Sequence, residues 1–448
     1  MIKIKCDFEK TVGRIKEMHC VGQPPFIWKN FTYFDYLKEA NIPRSRLHDV
    51  GGYFNGNLYV DIPNLFRDFE KDETDPENYD FTMTDTLIKE LMARDCKPFF
   101  RLGVTIENFS DKRWRTYPPK DFHKWARICE RVIMHYNEGW ADGFNYNIEY
   151  WEIWNEPEVE PGEANSMWMG TDEEYFELYE IASNYLKNRF GDKIKVGGYA
   201  SCGFHSIFTD PEKYGVDAPK STDPDDYSER EMYHLDFFLR FMERAKERKF
   251  PMDFFSWHSY ADKPGNVEKN KKMSEFCCRV LAESGYKGIE THLNEWNNAP
   301  GIEVKGTTFA SGSCAAMLLG MQKSPVDALY YYDARLGAST YAGLFNPLTR
   351  TPLAPFYSMK AFGELYKLGQ EVECEALGED CYAIAAKDGD KKAIMLVNNK
   401  NAVDKVSIEN ADGMKVYLID QNHHLAEAFL NPKEFELIPY GAALIKNY

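Results

Sequence analysis

Two glutamates carry the first chemical suggestion in this sequence. Glu156 stands in "YWEIWNEPEVE" (150–160), between Asn155 and Pro157, at the end of an apolar and aromatic run. Glu295 stands in "IETHLNEWN" (289–297), a second such run. A carboxylate buried in a core costs several kcal/mol unless it is paired. Two strands that end on glutamate therefore need a reason. Two carboxyl groups facing each other across a pocket suit cleavage of a glycosidic bond. One protonates the leaving oxygen; the other attacks the anomeric carbon or activates a water. Each disfavours ionisation of the other, so one keeps its proton near neutral pH. The plainer alternative for both is ion pairing with Arg46 or Arg101. Glu152, two residues before Glu156, is expected to pair with an arginine rather than to react.

These residues must be positioned by something, and the pattern of the chain says what. Eight strand-like runs recur at 13–20, 45–50, 96–104, 149–156, 194–200, 252–260, 289–297 and 326–334. Stretches with apolar residues at helical spacing lie between them, at 81–95, 119–140 and 172–190 among others. Strand–helix alternation argues for a parallel sheet. Eight units over residues 13–368 predict a (β/α)8 barrel. A doubly wound sheet would call for a glycine-rich phosphate loop after the first strand, and "HCVGQPPF" is not one. Barrels present reactive groups at the C-terminal ends of their strands. Those ends carry Arg46, His48 and Asp49 on the second strand, Arg101 on the third, Asn155 and Glu156 on the fourth, His258 and Tyr260 on the sixth, and Glu295 on the seventh. His258 and Tyr260 share a parity, so both can point inward. Trp257 and Trp296 are candidates for stacking on a sugar ring, with core packing the alternative.

Beyond residue 368 the texture changes to short alternating runs, with "KDGD" (387–390) as a hairpin signal. Residues 369–448 are predicted to form a small antiparallel β-sandwich, joined by an N-terminal strand over 1–12. The net charge of −17 opposes nucleic acid or an anionic membrane as a partner. No run approaches the length of a membrane span. The N-terminus "MIKIKCDFEK" lacks the apolar core of a signal peptide. The ten cysteines are scattered without a C-x-x-C pair, and read as reduced thiols. The expectation is a cytoplasmic protein; a homo-oligomer is left open. A metal site at the "HH" (423–424) is not expected without a carboxylate or cysteine partner at ligand spacing.

"WEIWNEP" with "NEW" resembles the clan A glycoside hydrolases, which are (β/α)8 barrels that retain anomeric configuration. Within the clan, "RLHD", "KVGGYA", "WHSY" and a trailing β-sandwich resemble glycoside hydrolase family 39, the group of β-xylosidases and α-L-iduronidases. The resemblance implies Glu156 as acid/base, Glu295 as nucleophile and Asn155 on the sugar's 2-hydroxyl. His48, His258, Tyr260 and Trp296 would contact sugar or nucleophile, supported by Arg46 and Arg101, with no metal or cofactor. It implies a retaining exo-glycosidase acting on a β-D-xyloside or related pentoside, with a glycoside or small oligosaccharide as partner. An endo-glycanase, an α-L-iduronidase, a β-hexosidase and a catalytically dead carbohydrate-binding barrel remain as alternatives. Aromatic bulk at Tyr53, Phe54, Trp257 and Trp296 would favour a pentose, and Arg46, Arg101 or Lys263 would serve a uronide.

Overall fold

The computed structural model describes residues 1–26, 32–50, 59–105, 116–261, 267–298, 301–337 and 339–448. The chain opens with a long strand, β1 (Ile2–Arg14), whose apolar residues alternate with charged ones over its first half. Eight strands then close into a parallel barrel in chain order. They are β2 (Glu17–Gly22), β3 (Arg44–Leu47), β4 (Lys97–Leu102), β5 (Tyr150–Ile153), β6 (Lys195–Ser201), β7 (Phe254–Ala261), β8 (Glu290–Asn298) and β9 (Ala328–Tyr331). The predicted first strand at 13–20 is divided: Gly13 and Arg14 belong to β1 and pair with Glu371 and Gln370. The barrel begins only at Glu17. The helices that cover the barrel start where capping chemistry places them. Asp121 accepts from Lys124 N at the head of the helix Phe122–Asn137. Thr171 and Glu174 form a capping box on Asp172–Phe190.

The second layer of structure is one hydrogen-bonded sheet of nine strands, ordered β15-β14-β17-β12-β11-β10-β1-β13-β16. Its strands after the barrel are β10 (Gln370–Leu377), β11 (Cys381–Asp388), β12 (Lys391–Asn398), β13 (Asp404–Ile408), β14 (Lys415–Ile419), β15 (His424–Ala428), β16 (Glu434–Leu437) and β17 (Ala442–Lys446). The sheet is antiparallel except where β1 runs parallel to β13. It has its own apolar core, built from Ile2, Ile4, Val372, Leu396, Val416 and Phe435 among others. No helix among the described residues is long and apolar enough to cross a membrane.

The barrel interior is graded from apolar to polar. At its N-terminal end Phe99, Tyr150, Phe254 and Tyr330 pack ring to ring, with Phe99–Tyr150 centroids at 5.2 Å and Tyr150–Phe254 at 5.5 Å. Two residues further along the same strands the inward positions become Arg101, Glu152 and Ser256, because strand parity returns every second residue to one face. The aromatic layer closes the bottom, and charge is concentrated at the C-terminal mouth.

Candidate active site

Arg46 organises the mouth. Its Nε donates to Glu152 Oε2 at 2.7 Å, its Nη1 to Glu295 Oε1 at 2.6 Å and its Nη2 to Asn155 Oδ1 at 2.6 Å. Glu152 is fully buried and also accepts from Ser256 Oγ and Asn294 Nδ2, both at 2.6 Å. The buried carboxylate is thus neutralised and hydrogen-bonded, as burial demands. The bond from Arg46 also fixes the Asn155 amide. Its Oδ1 faces the guanidinium, leaving Nδ2 without a hydrogen-bond partner among the described residues. That donor is available at the mouth.

Glu295 reaches the centre through a bulge. β7 and β8 pair in step up to Trp257↔Leu293, then resume at His258↔Glu295. Asn294 is the extra residue, and the bulge re-aims the side chain that follows. Glu295 Oε2 accepts from the Tyr260 hydroxyl at 2.6 Å, opposite the Arg46 contact. Glu156 leaves the end of β5 with a left-handed backbone, φ 44°. Conformations of this kind cost energy for a non-glycine residue and cluster at working sites. Its N–H is held by the Ala200 carbonyl at 3.1 Å. The chain leaving β6 passes close to β7 only because residue 203 is glycine. Its φ is +107°, and a Cβ there would lie 2.6 Å from the His258 carbonyl oxygen.

His258 joins the two glutamates. Its Nδ1 lies 2.6 Å from Glu156 Oε1 and 3.6 Å from Glu295 Oε2. One ligand atom from each of the three residues lies within 4.8 Å of the other two. Burial opposes a charge on His258, but Glu295 and Glu156 outweigh it and raise its pKa. Burial acts upward on Glu156 as well, yet the facing His258 holds it below the ordinary value. Glu295 is raised by burial and by the charge of Glu156, against the pull of His258, Arg46 and Tyr260. The proton shared by Glu156 and His258 therefore rests on the imidazole side of a 2.6 Å bond. The same trio has the geometry of a cation site. However, Arg46 already sits 2.6 Å from Glu295, and a divalent ion would meet that fixed positive charge.

His48 lies one step back. Arg101 Nε donates to its Nδ1 at 3.1 Å, and its Nε2 is 3.2 Å from Asp49 Oδ1. These contacts assign the proton to Nε2. Burial, reinforced by Arg46 and Arg101, pushes the pKa of His48 well down, so the ring is neutral. Arg101 pairs with Asp61 at 2.6 Å rather than with either glutamate. Glu152 pairs with Arg46, as its position in the strand suggested.

The expectation for Trp296 needs correction, and Trp257 takes the core-packing alternative. Trp296, expected at the sugar, pairs with Tyr331 on β9 and packs edge-on against it at 5.0 Å, in the apolar shell outside the barrel. The bulge at Asn294 turns Glu295 inward and its successor outward. Trp257 is fully buried against Phe204 at 5.5 Å, because it has the opposite parity to His258. Tyr53, Phe54 and Lys263 lie outside the described residues. The sequence pattern did not point to Asp61, which lies in a connecting segment, nor to Ser256 and Asn294, whose only signal was strand parity. A cavity of about 940 Å³ opens beside Glu156 and Tyr260 and runs over the segments after β6 and β7, past Cys202, His205, Phe208 and Met273. Its described lining includes Glu156 but not Glu295.

A closed parallel barrel with two linked glutamates at its C-terminal mouth, Glu295 buried and Glu156 partly exposed, defines a class of catalytic barrel, and comparison with known proteins gives the family. The chain belongs to the glycosyl hydrolases family 39, whose model matches residues 2–311. A β-xylosidase of Geobacillus stearothermophilus is 26% identical over 330 residues, 67% of this chain and 56% of that protein. A β-xylosidase of Caldicellulosiruptor saccharolyticus is 22% identical over 459 residues, 93% of this chain and 82% of that protein. Among solved structures, a glucosidase from Croceicoccus marinus superposes with a TM-score of 0.75 at 18% identity, covering 100% of this chain and 98% of the other. A family 39 β-xylosidase from Caulobacter crescentus gives 0.67 at 17% identity, with 99% of each chain covered. These likenesses establish the fold.

Proposed function

We propose that this protein is a retaining exo-glycosidase that cleaves a β-D-xyloside or a related pentoside through Glu295 and Glu156. One observation carries the reading: an oxygen of Glu156 and an oxygen of Glu295 lie within 4.8 Å, with His258 bonded to the first. Retaining enzymes hold their carboxyl groups about 5–5.5 Å apart, whereas inversion needs about 6.5–9.5 Å to admit a water. The short gap supports direct attack by one glutamate.

Glu295 is the nucleophile in this reading. Arg46 carries a permanent positive charge at 2.6 Å, and the Tyr260 hydroxyl donates to the other oxygen. Both favour the carboxylate form. As Glu295 forms a bond to the anomeric carbon, the bond to the leaving oxygen breaks. That oxygen takes its proton from Glu156, to which the His258 proton moves across their 2.6 Å bond as the glycosidic bond breaks, leaving Glu156 a carboxylate and His258 neutral. In the second half, Glu156 removes a proton from water, and the water oxygen displaces Glu295. The neutralisation of Glu295 in the covalent intermediate removes one of the charges that raise His258. This lets Glu156 act as a base. Asn155 Nδ2 is the donor for the 2-hydroxyl, and neutral His48 stands behind the nucleophile at 3.9 Å. The leaving group occupies the cavity that borders Glu156, since the acid must touch the departing oxygen and the nucleophile attacks from the other side.

The choice of a neutral pentose rests on the β-xylosidase relatives, and the pairing of the two arginines supports it. Arg46 is engaged by Glu152 and Glu295, and Arg101 by Asp61. A uronide carboxylate would have to compete with those bonds. The test is kcat/KM on matched aryl β-xyloside, α-L-arabinopyranoside, β-glucoside, β-galactoside and α-L-iduronide. A pentoside is expected to lead by at least about tenfold, from the roughly 1–3 kcal/mol that one small group is worth in a fitted pocket. A hexoside or iduronide ahead of both pentosides overturns the pentose assignment. Monosaccharide release from an oligosaccharide ladder is expected for exo-action; internal cleavage overturns it.

A further inference from the structure

All ten cysteines are free thiols, and two of them face each other in the nine-stranded sheet. Cys6 on β1 is the direct cross-strand partner of Cys374 on β10. Their sulfur atoms are 2.7 Å apart, although 368 residues separate them in sequence. Both are buried in the apolar core of the sheet, at 3% and 6% exposure. Directly opposed residues on antiparallel strands have Cα atoms roughly 4.5–5.5 Å apart. That range falls within the roughly 4.4–6.8 Å that a disulfide requires, so oxidation needs little backbone movement.

We propose that Cys6 and Cys374 are an oxidation site, converted by a low-molecular-weight disulfide into a cross-strand disulfide that covalently closes the chain around the barrel. The topology gives the bond its consequence. β1 delivers the chain into the barrel and β10 takes it out, and the two run side by side where they do so. Arg14 pairs with Gln370, and Ile15 N donates to the Gly369 carbonyl at 2.9 Å. A bond between residues 6 and 374 therefore ties entry to exit and makes one ring of everything between, Glu156 and Glu295 included. The chemistry is thiol–disulfide exchange. One cysteine thiolate attacks a sulfur of the oxidant and expels a thiolate, leaving a mixed disulfide. The second cysteine thiolate attacks the protein sulfur of that bond and expels the other half. The oxidant is reduced to two thiols, which take up the two cysteine protons. The partner thiol and burial raise the pKa of Cys6, so the exchange is slow. Lys323, whose Nζ donates to the Cys374 carbonyl at 2.8 Å, is the nearby cation that favours the reacting thiolate.

The experiment incubates the native, full-length protein with excess oxidised glutathione until the reaction stops, then counts thiols after denaturation and maps peptides without reduction. The expected result is eight remaining thiols, a mass lower by two hydrogens, and one linked pair containing Cys6 and Cys374. Cys381→Ser, altering a third cysteine of the same core, is expected to oxidise unchanged. Cys6→Ser and Cys374→Ser are expected to form no intramolecular bond. Oxidised wild type is expected to keep its glycosidase rate and to lose it more slowly on heating than the reduced form. A count that stays at ten, a glutathione adduct that persists on one cysteine, or a linkage between other cysteines overturns the proposal. These readouts do not depend on the substrate assignment.

Discussion

Glu158 offers a prediction whose size follows from the structure. It lies two residues past Glu156, fully buried. Its Oε1 accepts the Cys202 N–H at 2.9 Å, while its Oε2 has no hydrogen-bond partner among the described residues. Burial pushes its carboxyl from 4.5 up to about 7, against the pull of His234 and the Cys202 amide. The folded protein thus holds this proton more tightly than the unfolded chain does. Stability linked to the group is complete below about pH 4.5, declines as pH rises towards 7, and is flat above. At about 1.36 kcal/mol per pH unit, the difference between 4.5 and about 7 is worth about 3 kcal/mol. Glu158→Gln keeps the shape and the acceptor for Cys202 but cannot ionise. Urea unfolding of both proteins between about pH 4.5 and 8 measures the difference, in which the other titrating groups largely cancel. Burial lowers the pKa of His234, but Glu231 and Glu158 outweigh it and raise it. The variant is expected to gain about 3 kcal/mol on wild type across the window. Two curves that stay parallel would refute the reasoning.

Further outcomes follow from the same geometry. Glu156→Ala should lose on the order of 10²–10⁴ in rate on substrates with poor leaving groups, and far less with an acidic phenol, while Glu295→Ala loses both; a leaving-group series in kcat checks it. Added azide should give a β-glycosyl azide with Glu156→Ala and an α-glycosyl azide with Glu295→Ala on a β-glycoside, and swapped products would reverse the two roles. Arg46→Met strips the cation from Glu152 and Glu295 and should cost about 3–5 kcal/mol of stability, as broken buried ion pairs do; urea unfolding that changes by less than about 1 kcal/mol would show that the network does not hold the mouth.

Strand parity made much of the mouth legible. Glu152, Ser256, His258 and Tyr260 fall at inward positions by counting twos from the aromatic layer, and the arginine partner of Glu152 could be foreseen because a buried carboxylate needs one. Counting failed where the register changes. The extra residue Asn294 is an ordinary asparagine in sequence, and the slip it introduces moved Trp296 from the sugar side to the helix side. Partners far apart in the chain were equally hidden. Arg101 found Asp61 through a segment that reads as loop, and Cys6 found Cys374 across the whole barrel. The parallel pairing of β1 with β13 is also invisible in strand patterns, since alternation reports which face is buried and not which neighbour is chosen.

The central claim is that Glu295 attacks the sugar directly and Glu156 serves it as acid and then base. The anomeric configuration of the first-formed product tests it most directly. Proton NMR of an aryl β-xyloside during the first turnovers, before mutarotation, resolves the two anomers of the released xylose. The β-anomer accumulating first, and converting to the equilibrium mixture only later, is the expected result. Initial release of the α-anomer would contradict the account, because it would require water to attack opposite the leaving group with no bond to Glu295.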